Sequence, residues 1–210
     1  MKLSVFTTII GVASAFFPSV CAVMPTLEQV KGDIVAVTNL SKNLNEVANG
    51  IRFAGDVPRG APKIANGLSG IIQAVTSALQ HYPRSLAGEG NDDSEKHVAS
   101  RSFAVISRDI DAALDGFPDD AAQQIVAVFV RLVQVHQALL ATIIGDHGVI
   151  AQVPGPFLEP IRLALVSLEA TIDRFALTVV ALIPTRQPEG NRGRRMLDDS
   201  LAKAVETYSS

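Results

Sequence analysis

The chain has 210 residues with 18 basic and 21 acidic side chains, one cysteine, no tryptophan and aromatics at 5%. A mildly acidic chain with so few rings lacks the basic footprint and stacking surfaces that nucleic-acid binding needs, so no nucleic-acid partner is expected. The single thiol, Cys21, rules out an intrachain disulfide framework, and packing must supply stability.

Met1-Lys2 is a short basic start, and Leu3 to Phe17 is apolar or small throughout. Pro18 and Ser19 interrupt that run before Val20-Cys21-Ala22, which has the residue sizes a signal peptidase reads. The run is shorter than the roughly 20 residues a membrane helix needs. Residues 1–22 are therefore expected to be a secretory signal cleaved after Ala22, taking the only cysteine with them and directing the protein out of the cell.

Residues 23–184 are expected to form one helical domain, read from apolar residues recurring every three or four positions. The first stretch, about Leu27 to Ile51, carries Val30, Ile34, Val37, Leu40/Ser41, Leu44, Val47/Ala48 and Ile51 on one face, and Thr26 with Gln29 has the form of a capping box. Gly50, Gly55, Pro58, Gly60 and Pro62 are expected to end it. Asn39-Leu40-Ser41 is a glycosylation sequon, with Asn39 opposite the apolar stripe.

A second helix is expected over Lys63 to Tyr82, closed by Pro83, and the polar, acidic stretch 84–93 reads as a loop. A third follows Ser94, with Val98, Phe103, Ile106 and Ile110 inward, ending near Gly116. The fourth opens at Asp120 and carries Ile125, Phe129, Leu132, His136, Leu139/Leu140 and Ile143, with Gly145 and Gly148 expected to break it. The fifth runs from about Phe157 to Ile183 through Ile161, Leu165, Leu168, Ile172, Phe175, Val179 and Leu182. Such stripes are too long for strands, and the expected fold is all-α, an up-and-down bundle of about five amphipathic helices.

Residues 185–210 differ. TRQPEGNRGRR reads as a disordered basic linker, followed by one short amphipathic helix at Met196, Leu197, Leu201 and Tyr208. Arg194-Arg195 is a candidate dibasic processing site, with cleavage after Arg195. No transmembrane segment is expected, because Arg131, Gln134, His136 and Gln137 interrupt the most apolar helix at intervals that hydrocarbon would penalise.

Chemistry is sparse. No nucleophile elbow or HExxH pair occurs, and His81, His97, His136 and His147 are scattered, so no metal, cofactor or catalytic site is expected. Asp146 and His147 are expected in a solvated turn. His136 stands out because its phase puts it on an apolar stripe. It is either a hydrogen-bonded core histidine or the polar point of a cavity that meets the head of a fatty acid, lined by Phe103, Phe129, Ile161, Leu165 and Phe175. A hydrolase would require His136 to meet both an acid and a serine.

The phrases LEQVKGDIVAVTNLSKNLNEV, FPDDAAQQIVAVFVRLVQVHQALLATIIGDHGVI and PFLEPIRLALVSLEATIDRFALTVVALIP, following a signal, resemble the fungal hydrophobic surface-binding protein A family, which includes cell-wall galactomannoproteins. The resemblance implies a secreted, non-enzymatic helical protein of the cell wall or extracellular space. It would bind a fatty acid, another apolar ligand or a hydrophobic surface, with a secreted hydrolase as a partner. Gly145-Asp146-His147-Gly148 and the tail beyond Pro184 depart from the family's look. The alternative is a structural cell-wall or effector-type protein-interaction module.

Overall fold

A computed structural model describes residues 24–82 and 116–209. The expected signal with Cys21 and Ala22, and the expected third helix with Phe103, lie outside the described residues. Among the described residues there are five helices and no strands: α1 (Leu27–Ala48), α2 (Val57–Leu79), α3 (Asp119–Ala151), α4 (Leu158–Ala181) and α5 (Gln187–Ser209). This is the all-α bundle expected from the sequence.

Helix α1 begins where the Thr26 hydroxyl accepts the Gln29 N–H at 3.2 Å, with Glu28 in the first turn to complement the helix dipole. Its buried face is Val30, Ile34, Val37, Thr38, Ser41, Leu44 and Ala48. Beyond Gly50 the Asp56 carboxylate accepts the N–H groups of Arg52 and Phe53, both at 3.1 Å, and turns the chain into α2.

Helix α2 starts at Val57, six residues before its expected start at Lys63. Pro58 falls in the first turn, where its missing N–H is unneeded. Pro62 lies one turn further in, where it removes a single ladder bond, and Val57 and Ala61 of that turn are buried in the core. Gly60 and Gly67 are contact points: a Cβ on Gly60 would collide with Ile51, just beyond α1, and one on Gly67 with Leu44 of α1.

Helix α3 passes through Gly145 and Gly148 to Ala151, so the expected break is absent. No neighbouring atom lies within 4 Å of where a Cβ on either glycine would sit, and the buried Ile143, Asp146 and Ile150 continue the inward stripe past them. By length and composition alone α3 is also apolar enough to cross a membrane, with mean hydropathy 1.7 and 39% of that window buried; the core helix of a soluble bundle passes the same measure. Gly116 enters α3 at φ 57°, where an added Cβ would strike Pro184, and the Phe117 N–H donates to the Leu182 carbonyl at 2.8 Å.

The largest correction concerns the tail. Residues 187–209 form one helix with Gly190, Gly193, Leu197, Leu201, Ala204 and Tyr208 buried, instead of a disordered linker and a short segment. Gly190 packs on Val180 and Gly193 on Phe129, close enough that a Cβ at either would lie 2.9 Å from those side chains. Arg194 is pinned to Asp173 of α4 at 2.6 Å, so the dibasic pair Arg194-Arg195 lies mid-helix.

The helices pack as a ring in the order α1–α2–α4–α5–α3, closing back on α1. Cross-helix pairs give the directions. Lys31–Gln124 and Ser41–His136 make α1 and α3 parallel, whereas Asp33–Tyr82 makes α1 and α2 antiparallel. Successive helices alternate in direction, yet α3 and α4 barely touch because α3 packs between α1 and α5. The inward stripes of all five helices merge into one core. Each fully buried large aliphatic or aromatic side chain there contributes about 1.5–3 kcal/mol relative to exposure.

Candidate functional site

His136 occupies the inward face of α3 with no exposed surface, as do Phe129 on the same helix and Ile161, Leu165 and Phe175 on α4. Because α3 and α4 are not neighbours in the ring, these side chains come from two helices whose stripes meet in the shared core. Phe129 lies against Gly193 of α5. Phe175 meets the Tyr82 ring edge-on at 6.4 Å between centroids.

The polar contact of His136 is with Ser41. Their Nδ1 and Oγ atoms are 3.1 Å apart and both residues are fully buried. Nε2 is also buried and has no hydrogen-bond partner. Burial pushes the imidazole down to about 4, because desolvation disfavours the cation, and the ring is neutral at ordinary pH. An orphaned nitrogen of this kind is uncommon in a core.

The site therefore brings a serine to His136, but no carboxylate completes a relay among the described residues. Ser41 and His136 both have no exposed surface. Ser41 is also the third residue of the sequon, while Asn39 itself is exposed on α1, on the side away from the core.

Asp146 and His147 belong to the last turns of α3 rather than to a solvated turn. Asp146 is buried with Oδ2 unpartnered, and desolvation raises its carboxyl to about 6. Tyr208 of α5 donates to the Ile143 carbonyl at 2.9 Å, with the His147 ring edge-on at 4.9 Å. Burial, and then the charge of Asp146, hold the Tyr208 hydroxyl far above its ordinary range.

A second polar cluster was not legible in the sequence. Asp33 on α1 accepts from Tyr82 at 3.0 Å and lies 3.2 Å from His81 Nδ1, tying the end of α2 to the first half of α1. Burial foremost, then the charge of Asp33 and its hydrogen bond, raise the Tyr82 hydroxyl. The partners are 48 and 49 positions apart, and only the antiparallel docking of α1 on α2 unites them.

Grooves on the surface lie away from His136. One of about 540 Å³ runs between α2 and α4 past Thr76, Tyr82 and Arg174, and one of about 430 Å³ runs between α3 and α5. No three His, Cys, Asp or Glu side chains converge as metal ligands among the described residues. No protein-family model matches the chain, and no curated protein matches it.

Proposed function

We propose that the protein is secreted and non-catalytic, and binds apolar material, either a fatty-acid-like lipid or a hydrophobic surface. The resemblance to the fungal hydrophobic surface-binding proteins supports the same reading, with an extracellular or cell-wall location. The observation that carries it is the bare Nε2 of His136 inside an otherwise apolar core. An apolar interior with one polar point is the arrangement that orients an amphiphile. The head group of a bound lipid would supply the missing hydrogen bond, and its chain would lie among Phe129, Ile161, Leu165 and Phe175. Because these side chains have no exposed surface, entry requires the helices to part, a loosening that also suits adsorption to an interface. On this reading α3 is a core helix.

Native mass spectrometry of the chain starting at Val23, with and without palmitate, tests the proposal, with a His136→Ala variant alongside. A one-to-one adduct weakened in the variant is expected. Absence of any adduct at high excess would remove the interior-carrier reading for this lipid class.

The competing reading, a cell-wall or effector-type interaction module, is favoured by the outward-facing Leu163, Val166 and Leu177 of α4, which are 52%, 41% and 38% exposed. A stable complex with a secreted hydrolase or host protein, formed without lipid and lost on Leu163→Glu, would select it.

A further inference from the structure

The groove between α3 and α5 lies on the outer surface, and its lining shares no residue with the interior site. Its floor is Val126, Val130 and Val133 of α3 and Met196 of α5. Val130 and Met196 are 40% and 41% exposed, so two of the large apolar side chains left in solvent share one furrow. At Gly193 the two helices are in close contact, since a Cβ there would lie 2.9 Å from Phe129 and 3.4 Å from Val133, and the furrow opens beside that contact. Measured along α3 from Gln123 to Gln134, it extends roughly 16 Å at 1.5 Å per residue.

Charge pairing at the rim is uneven. Arg186 is held by both oxygens of Asp119 at 2.7 Å and reaches Glu189 at 3.5 Å. Arg192 lines the same groove and forms no hydrogen bond or ion pair among the described residues. Arg186 is thus already paired with Asp119 and Glu189, which leaves Arg192 as the lining cation without a carboxylate partner among the described residues.

We propose that this groove binds a monomeric, single-chain anionic amphiphile of the alkyl-carboxylate type, with the chain along Val126, Val130 and Met196 and the anion at Arg192. A volume of about 430 Å³ falls at the small end of the roughly 300–1,000 Å³ typical of ligand sites, which suits one chain rather than a multi-chain lipid. The unpaired guanidinium is complementary to a carboxylate, and burial of Val130 and Met196 supplies the apolar contribution. This goes beyond the interior reading and fails or holds separately from it.

The test is methyl-resolved NMR of the whole chain titrated with sodium laurate below its micelle concentration, with decyl maltoside as the uncharged comparison. Saturable shifts at the Val126, Val130 and Met196 methyls are expected, with Ile161 and Leu165 unmoved. Arg192→Gln should weaken laurate about threefold to fivefold, as an exposed charge pair permits, and leave decyl maltoside unchanged. Val130→Glu, a surface change, should abolish binding of both. Shifts confined to Ile161 and Leu165 would overturn the groove while supporting the interior site. No saturable shift overturns the groove. Equal loss of both ligands in Arg192→Gln overturns the anionic assignment, and binding seen only with laurate-doped vesicles overturns the monomer assignment.

Discussion

Replacing Ser41 by alanine isolates the polar pair in the core. The wild-type contact is one 3.1 Å hydrogen bond between two fully buried groups, with Nε2 of the ring already unpartnered. The substitution removes one oxygen atom, so the cavity term is small, but it orphans the second nitrogen as well. The imidazole is neutral because burial pushes it down to about 4, so the cost is that of a neutral polar group, about 1–3 kcal/mol.

His136→Leu does the opposite. It removes both demanding nitrogens and leaves the Ser41 hydroxyl, which can turn to its own helix carbonyl four residues back. Its stability should lie within about 1 kcal/mol of wild type. The double variant Ser41→Ala/His136→Leu, apolar on both sides, should match or exceed wild type. The coupling between the two sites should then fall at about 0.5–3 kcal/mol. Urea unfolding followed by far-ultraviolet circular dichroism at pH 7 measures all four members of the cycle. An unchanged Ser41→Ala together with a double variant destabilised by more than about 2 kcal/mol would refute the account, since the pair would then be a net stabilising element rather than a cost.

Three further predictions concern other parts of the bundle. Asp146 and His136 should oppose each other in pH dependence. Burial raises the Asp146 carboxyl to about 6, so its contribution improves as pH falls through that value; burial lowers His136 to about 4, so its contribution is full above about 6.5 and is lost as pH falls toward 4. The wild type should therefore be nearly flat between pH 4 and 6.5, with Asp146→Asn gaining stability as pH rises and His136→Leu losing it; parallel urea midpoints for the two variants would contradict this. Ending the chain at Arg195 removes the buried Leu197, Leu201, Ala204 and Tyr208, and cooperative thermal unfolding should disappear; a sharp transition in the truncated chain would show that α5 is dispensable. Gly145→Ala, made in open space within α3, should stabilise by about 0.5–1 kcal/mol, whereas Gly193→Val, driven into Phe129, should destabilise by about 1–3 kcal/mol; similar melting shifts for both would refute the packing assigned to α5.

The helical class and most inward residues could be read from the chain alone. Ile34, Leu68, Phe129, Leu165 and Phe175 all recur at the spacing of one helix face, and all are fully buried. The misread points were glycines and prolines. Local propensity makes Pro62 and Gly145 read as breaks and Gly190 as part of a disordered linker, yet tertiary packing outweighs costs of this size. The stripe of α5, at 190, 193, 197, 201, 204 and 208, was present in the sequence at the right spacing, but two of its six members are glycines that hydrophobicity does not mark.

What the sequence determined by itself was local: helix period, the Thr26 cap and the inward phase of His136. The tertiary structure decided everything that joins distant residues. It set the ring order that separates α3 from α4, the meeting of Ser41 with His136, the joining of Asp33 to His81 and Tyr82, and the furrow that brings Val130 beside Met196. The physical reason is that periodicity reports which face of a helix is buried, whereas the identity of the neighbour depends on how all the stripes share one core.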